Sequence, residues 1–104
     1  MTSERFTGIL SCVDDALKPF GDSFSTVVFW NLKRTRGLSR EGLLDNPEAF
    51  SECLKEIFGT GSRIVEQHIV LELKNRFNLR SEDLVDCALA IHSAKKQVLL
   101  VPTL

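Results

Sequence analysis

The sequence is poor in cysteine and has no long apolar run, and these shortages exclude several classes of protein. The three cysteines, Cys12, Cys53 and Cys87, are odd in number and far apart, so they form neither a disulfide framework nor a CxxC zinc or redox motif. We expect buried free thiols. No apolar run reaches the roughly 20 residues that cross a bilayer. The opening MTSERFTGIL lacks the basic flank and apolar block of a secretory signal, which predicts a cytoplasmic protein.

An excess of charge of one sign is also lacking. Thirteen basic residues against fourteen acidic ones give a net charge of -1 and a pI near 6.1, without the electrostatic footprint of a dedicated nucleic-acid binder. A content of 43% hydrophobic and 26% charged residues is typical of a soluble globular protein. A chain of 104 residues holds one core, so residues 1–104 are predicted to form a single helical domain.

The apolar residues recur with a period close to 3.6, which predicts an all-α fold, a compact bundle of about five helices. The expected helix starts are Thr2 or Ser3, Asp22 or Ser23, Asn46, Ser62 and Ser81. The clearest start is Asn46-Pro47-Glu48, a cap followed by a residue suited to the first helical position and a carboxylate at the positive end of the dipole. The stretch LSREGLLDN before it is expected to be a loop or short turn anchored by Leu43 and Leu44.

Two helices have apolar residues beyond a single stripe. The second helix is predicted to turn Phe24, Val27, Val28 and Leu32 inward, with Phe29 and Trp30 widening its apolar surface. The helix near 62–77 carries a row of Val65, Ile69, Leu73 and Phe77, with Ile64 and Leu71 on the opposite side. We therefore predict that it is the central helix of the bundle.

The fifth helix is expected to bury Leu84, Val85, Ala88, Leu89 and Ile91. The tail Gln97–Val101 is rich in β-branched residues and leucine and precedes Pro102. This composition predicts an extended apolar segment, either packed on the bundle or completed as a strand by a partner.

The stretch NPEAFSECLKEIFGTGSRIVEQHIVLELKNRFNL, residues 46–79, carries a family resemblance. Pro47, Glu48 and Phe50 open a helix, Phe58-Gly59 closes it, Gly61 lies in the turn, and Ile64, Ile69, Leu73 and Phe77 follow. These features resemble the archaeal small helical domains of the Nitrososphaera output domain family. The resemblance implies an all-helical domain in an archaeal cytosol, alone or attached to signalling proteins, and it implies no catalytic residue.

One basic cluster stands out, formed by Lys33, Arg34, Arg36 and Arg40 with no acidic residue between Asp22 and Glu41. It is a candidate contact for nucleic-acid phosphates or an acidic partner. The alternative is a solvated helix end, because cations favour the negative end of the helix dipole.

Residues suited to catalysis do not converge in the sequence. His68 and Glu72, four residues apart, and the distant His92 form no complete metal-ligand pattern, so we expect partly buried histidines, each with one hydrogen-bond partner. Glu48, Glu52 and Glu56 recur on one face that is expected to face water. We predict no enzyme activity, metal or cofactor.

The apolar content is generous for so small a bundle, and uncovered apolar surface usually marks protein contacts. We therefore predict a protein-interaction or regulatory module that self-associates as a homodimer. The expected contacts are Phe29, Trp30, Val98, Leu99, Leu100 and Val101. Two alternatives remain open, a nucleic-acid-associated transcriptional regulator that uses the basic cluster, and a small-ligand sensor with His68 or His92 as its polar anchor.

Overall fold

The computed structural model describes residues 3–79 and 86–100, with side chains described from residue 6 to 79 and from 86 to 98. These ranges hold five α-helices and no strand, which confirms the all-α class. The helices are α1 (Ser3–Leu17), α2 (Phe24–Arg36), α3 (Pro47–Phe58), α4 (Ser62–Phe77) and α5 (Cys87–Leu100). Short 3₁₀ turns at Lys18–Phe20, Glu41–Leu44 and Gly59–Gly61 join them. The predicted helix start at Ser81, with Leu84 and Val85, lies outside the described residues.

The centre of the bundle is α4, which packs against α1, α3 and α5. Its inward residues Val65, Ile69 and Leu73 are buried in one continuous core with residues of every other helix. These buried residues follow the period of 3.6 seen in the sequence. Helix α4 therefore occupies the central position predicted for it. Helix α2 lies outside this centre and packs mainly on α3, and its outer side is therefore left uncovered.

The helix ends follow local chemistry. The Asn46 side chain accepts a hydrogen bond from the Ala49 amide at 3.2 Å, and Pro47 follows as the first residue of α3, as predicted. Helix α2 ends at Gly37 with φ 66°, a left-handed conformation that glycine adopts without a steric penalty. Leu43 and Leu44 are buried in the turn that follows and anchor it to the core.

The expectation of an extended tail was wrong for its described part. Residues 97–100 are helical and continue α5. The physical reason is periodicity, since Ile91, Ala94 and Val98 recur at helical spacing and pack against the core. That packing outweighs the β propensity of the tail composition. Val101 lies outside the described residues.

Two residues predicted to face inward are exposed instead. Val27 is 50% exposed although its neighbour Val28 is fully buried, because one residue turns the α-helix by about 100° and α2 is covered mainly on its α3 side. Leu89 is 43% exposed beside the buried Ala88 and Ala90. Part of the apolar surface of α2 is therefore exposed to solvent.

Candidate functional site

A groove of about 670 Å³ runs along the outer side of α2 and forms the candidate site. We call it the α2 groove. It is lined by Asp14, Lys18, Asp22, Ser25, Thr26, Phe29, Trp30, Lys33, Ser39 and Arg40. One wall is the end of α1 and the turn after it, and the other comes from the segment that precedes the Glu41–Leu44 turn. Helix α2 packs mainly on α3 and only slightly on α1, and the groove lies along the boundary between α2 and the end of α1.

The α2 residues of the groove share one helical face. Asp22 lies just before the helix, Ser25 and Thr26 follow in its first turn, and Phe29 and Trp30 follow one turn later. Lys33 closes the series, and each residue has another of the series three or four positions away, as one helical face requires. At 1.5 Å per residue the groove face extends for about 16 Å. It therefore presents small polar residues towards one end and aromatic residues towards the other.

The two aromatic residues that the sequence predicted as interaction residues, Phe29 and Trp30, both line this groove. Phe29 is half-buried and its ring stacks on that of Phe50, with centroids 6.0 Å apart and planes 14° apart. Trp30 is 58% exposed, and the Arg34 guanidinium lies 5.1 Å from its ring centroid. The stack positions Phe29 firmly, whereas Trp30 offers a large apolar surface with a cation beside it.

The predicted basic cluster is divided by the fold. The Arg36 guanidinium donates two hydrogen bonds to the Glu56 carboxylate, at 3.1 and 2.8 Å, and lies 3.6 Å from Glu52. Arg40 is bound by the carboxylate of Asp14 across the groove. Lys33 and Arg34 are exposed. Half of the positive charge is therefore already neutralised by the protein itself.

The charges at the two ends of the α2 face are left without such partners. Among the described residues neither Asp22 nor Lys33 forms an ion pair, and both side chains are exposed on the groove. Lys18 differs, since its ammonium lies 3.1 Å from Asp15. The groove face thus carries one unpaired acid at its start and one unpaired base at its end.

The predicted tail residues are placed away from any described site. Val98 is half-buried and packs against the core. The side chains of Leu99 and Leu100, like Val101, are outside what the structure describes. The tail part of the predicted interface stays a prediction.

A second polar cluster lies inside the bundle, around Glu66. This side chain is only 4% exposed. Its Oε1 accepts a hydrogen bond from the Ser51 hydroxyl at 2.7 Å, and from the backbone N–H and the thiol of Cys87 at 3.3 Å each. Asp86 accepts from the Leu89 N–H at 2.9 Å beside it. Two carboxylates therefore hold the first turn of α5, where the helix dipole favours negative charge.

The sequence analysis did not identify Glu66, and a pattern in α4 would have found it. Glu66 lies four residues after the buried Ser62 and three, four and seven before the buried Ile69, Val70 and Leu73. A charged residue in the middle of such a stripe must be buried or must interrupt the packing. Here it is buried with three donors, and its position predicts a structural role at the start of α5.

The three cysteines are buried free thiols, as predicted. Burial raises the pKa of Cys12 to about 12 and also raises the pKa of Cys53. Burial, with the nearby Glu66 carboxylate, raises the pKa of the Cys87 thiol still further. Thiols held protonated in this way are poor nucleophiles.

The histidines lie apart from the groove. His92 is half-buried with its Nε2 2.7 Å from the Glu48 carboxylate, as predicted for a histidine with one partner. His68 is exposed rather than partly buried, and its ring meets that of Phe20 edge-on with centroids 5.1 Å apart. Within the described residues, no group of three histidine, cysteine or acidic side chains could hold a metal ion.

No described helix is long and apolar enough to cross a membrane.

The surface carboxylates predict a loss of stability in acid. The Arg36 guanidinium lowers the pKa of Glu56 below its usual 4.5, so this pair stabilises the fold above that pH and stops doing so as pH falls through the lowered folded pKa. Glu56→Gln is expected to lower Tm at pH 7 and to reduce the further fall in Tm towards pH 2. Glu41→Gln, an exposed acid with no described ion pair, is the control for thermal melts across this range. Equal effects of the two changes would contradict the prediction.

No family model, curated protein or solved structure matches this chain. The resemblance of residues 46–79 to the Nitrososphaera output domain family stays a prediction. The geometry of the α2 groove is therefore the main evidence on function.

Proposed function

We propose that this chain is a non-enzymatic protein-interaction module of a regulatory kind, which self-associates through the α2 groove. The observation that carries this proposal is the exposed Trp30 beside the half-buried Phe29, in a groove along an otherwise uncovered helix. Aromatic residues and arginine are enriched at protein interfaces, and an aromatic ring supplies large contact area with few rotatable bonds. The expected setting is the archaeal cytosol, which the family resemblance implies.

The same helix offers the contact area that an interface needs. Val27 is half-exposed next to the groove, and Arg34 extends the surface over the Trp30 ring. A partner that covers an exposed tryptophan and an exposed valine one turn apart removes their apolar surface from water, which favours association. A second copy is the partner we favour, since symmetric dimers are the commonest oligomers.

The two alternatives from the sequence receive less support. A phosphate-binding surface needs its cations free, and Arg36 and Arg40 are bound by carboxylates of the same chain. A ligand sensor anchored by His68 or His92 needs one of them in a pocket, and neither lines the α2 groove. The groove itself is of a size that accepts small molecules, so ligand binding there remains the second candidate.

The proposal predicts that Trp30→Glu converts a dimer into a monomer. A charge in place of the indole removes apolar contact area and would be buried without a partner in the interface. Light scattering across a concentration series should give a molar mass approaching twice the 11.7 kDa of one chain for the natural sequence, and a single chain for the variant.

Leu71→Glu is the matched control, because Leu71 is also 58% exposed but lies on α4, away from the groove. This variant should dimerise like the natural chain. If the natural chain stays monomeric up to a concentration of about 1 mM, its dimer Kd is too high for specific self-association, and the proposal is contradicted. Dissociation by Leu71→Glu with no effect of Trp30→Glu would move the interface to α4.

A further inference from the structure

The residues on the α2 groove face are arranged symmetrically about one point of the helix. Asp22 and Lys33 lie equally far from the midpoint between residues 27 and 28. Ser25 and Trp30 are also equidistant from that point, as are Thr26 and Phe29. Each pair joins unlike residues, an acid with a base or a small polar residue with a large aromatic one.

Unlike residues at mirrored positions suit one mode of self-association. When two copies of a helix pack antiparallel on a two-fold axis, each residue lies at the level of the residue at the mirrored position of the other copy, and pairs near the centre of the face come into contact. Small residues then lie opposite large ones, which allows side chains to interdigitate. In a parallel pair each residue meets itself, so tryptophan would meet tryptophan and lysine would meet lysine.

We infer that two copies of this chain pair through antiparallel α2 helices, with Asp22 facing the partner's Lys33 and Trp30 at the level of the partner's Ser25. This inference rests on the proposed self-association and adds its geometry. The two-fold axis passes between the two groove faces, at the level of residues 27 and 28. The unpaired charges of Asp22 and Lys33, at opposite ends of the groove face, find their counterparts in the second copy. Two such ion pairs form in each dimer.

Charge reversal tests this geometry. In Asp22→Lys, two lysines would face each other at both ends of the interface, and in Lys33→Glu two acids would do so. Each single variant is expected to raise the dimer Kd at least about tenfold, since like charges face each other across an interface. The double variant D22K/K33E restores both attractive pairs, so its Kd should return to within about threefold of the natural chain.

The controls separate geometry from folding and from the proposed function. An equimolar mixture of the two single variants should form heterodimers. In these the introduced lysine faces the introduced glutamate at one end, and the natural Asp22 faces the natural Lys33 at the other. Arg63→Glu, the same kind of charge reversal on an exposed residue of α4, should leave the Kd within about threefold of the natural value. Circular dichroism melts of every variant show whether the helical fold is retained.

A second measurement does not depend on charge. With its natural thiols buried, Lys33→Cys should crosslink to Asp22→Cys under mild oxidation but not to itself. Ready self-crosslinking of Lys33→Cys, or single charge reversals that leave the Kd unchanged, would overturn the antiparallel geometry. If the natural chain dimerises and Trp30→Glu abolishes this, the proposed function survives that outcome. A monomeric natural chain would overturn both.

Discussion

Glu66→Ala is expected to lower the free energy of unfolding by about 3 kcal/mol, because it leaves buried donors without their acceptor. The Ser51 hydroxyl, the Cys87 thiol and the Cys87 N–H all donate to one Glu66 oxygen. Truncation also leaves a cavity between α3, α4 and the start of α5. For a domain whose total stability is about 5–15 kcal/mol, this is a large fraction.

Further variants of Glu66 and Ser51 separate the contributions to this loss of unfolding free energy. Glu66→Gln keeps an acceptor oxygen and should cost about 1 kcal/mol, mainly the weaker bond of a neutral acceptor. In Ser51→Ala/Glu66→Ala one orphaned donor is removed, so the double variant should be less destabilised than the sum of the singles. Urea unfolding under reducing conditions gives these values. A loss below about 0.5 kcal/mol for Glu66→Ala, the level of an ordinary surface change, would contradict this account of the cluster.

Phe50→Ala is expected to lower the free energy of unfolding by about 3–5 kcal/mol, the usual cost of deleting a buried aromatic ring. Phe50 is fully buried on α3 and carries the stacked ring of Phe29. The loss therefore has two parts, a cavity in the core and the removal of the surface that positions Phe29 in the groove. The second part should also weaken self-association.

Leu54→Ala provides the comparison for this variant. Leu54 is fully buried on the same helix but belongs to no ring stack, so its truncation should cost about 2–5 kcal/mol without a comparable effect on the dimer. Urea unfolding monitors the first effect, and the dimer Kd of the folded variants monitors the second. Equal changes in Kd for the two variants would show that Phe29 needs no support from Phe50.

Features fixed by local chemistry could be predicted from the sequence. The start of α3 depends on Asn46 and Pro47, two adjacent residues that act on the backbone beside them, and the structure has the same start. The same is true of Gly37 at the end of α2. The core row of α4 followed from spacing alone, because a helix of fixed pitch aligns Val65, Ile69 and Leu73.

Features that depend on several elements at once could not be predicted in this way. The composition of residues 97–100 favours a strand, and only the match of Val98 to the core shows that helix is better. The spacing of α4 indicates that Glu66 is buried, but not which donors it meets, because Ser51 and Cys87 come from distant parts of the chain. Exposure of Val27 depends on where α3 covers α2.

The candidate site shows the same division. The sequence identified Phe29, Trp30 and Lys33 as residues of interest, yet it could not place them in one groove with Asp14 and Lys18. That groove forms only because the fold brings the end of α1 and residues 39–40 beside α2. Likewise, Arg36 and Arg40 looked available until the fold brought carboxylates to them.

The central claim, self-association through the α2 groove, can be tested directly with the fluorescence of Trp30. This residue is the single tryptophan, and the chain has no tyrosine, so the emission reports on this one site. As the concentration rises through the dimerisation range, we expect the emission maximum to shift to shorter wavelength, because a second copy removes the exposed indole from water. If the emission maximum stays at the wavelength of a solvated indole while the molar mass doubles, the claim is contradicted.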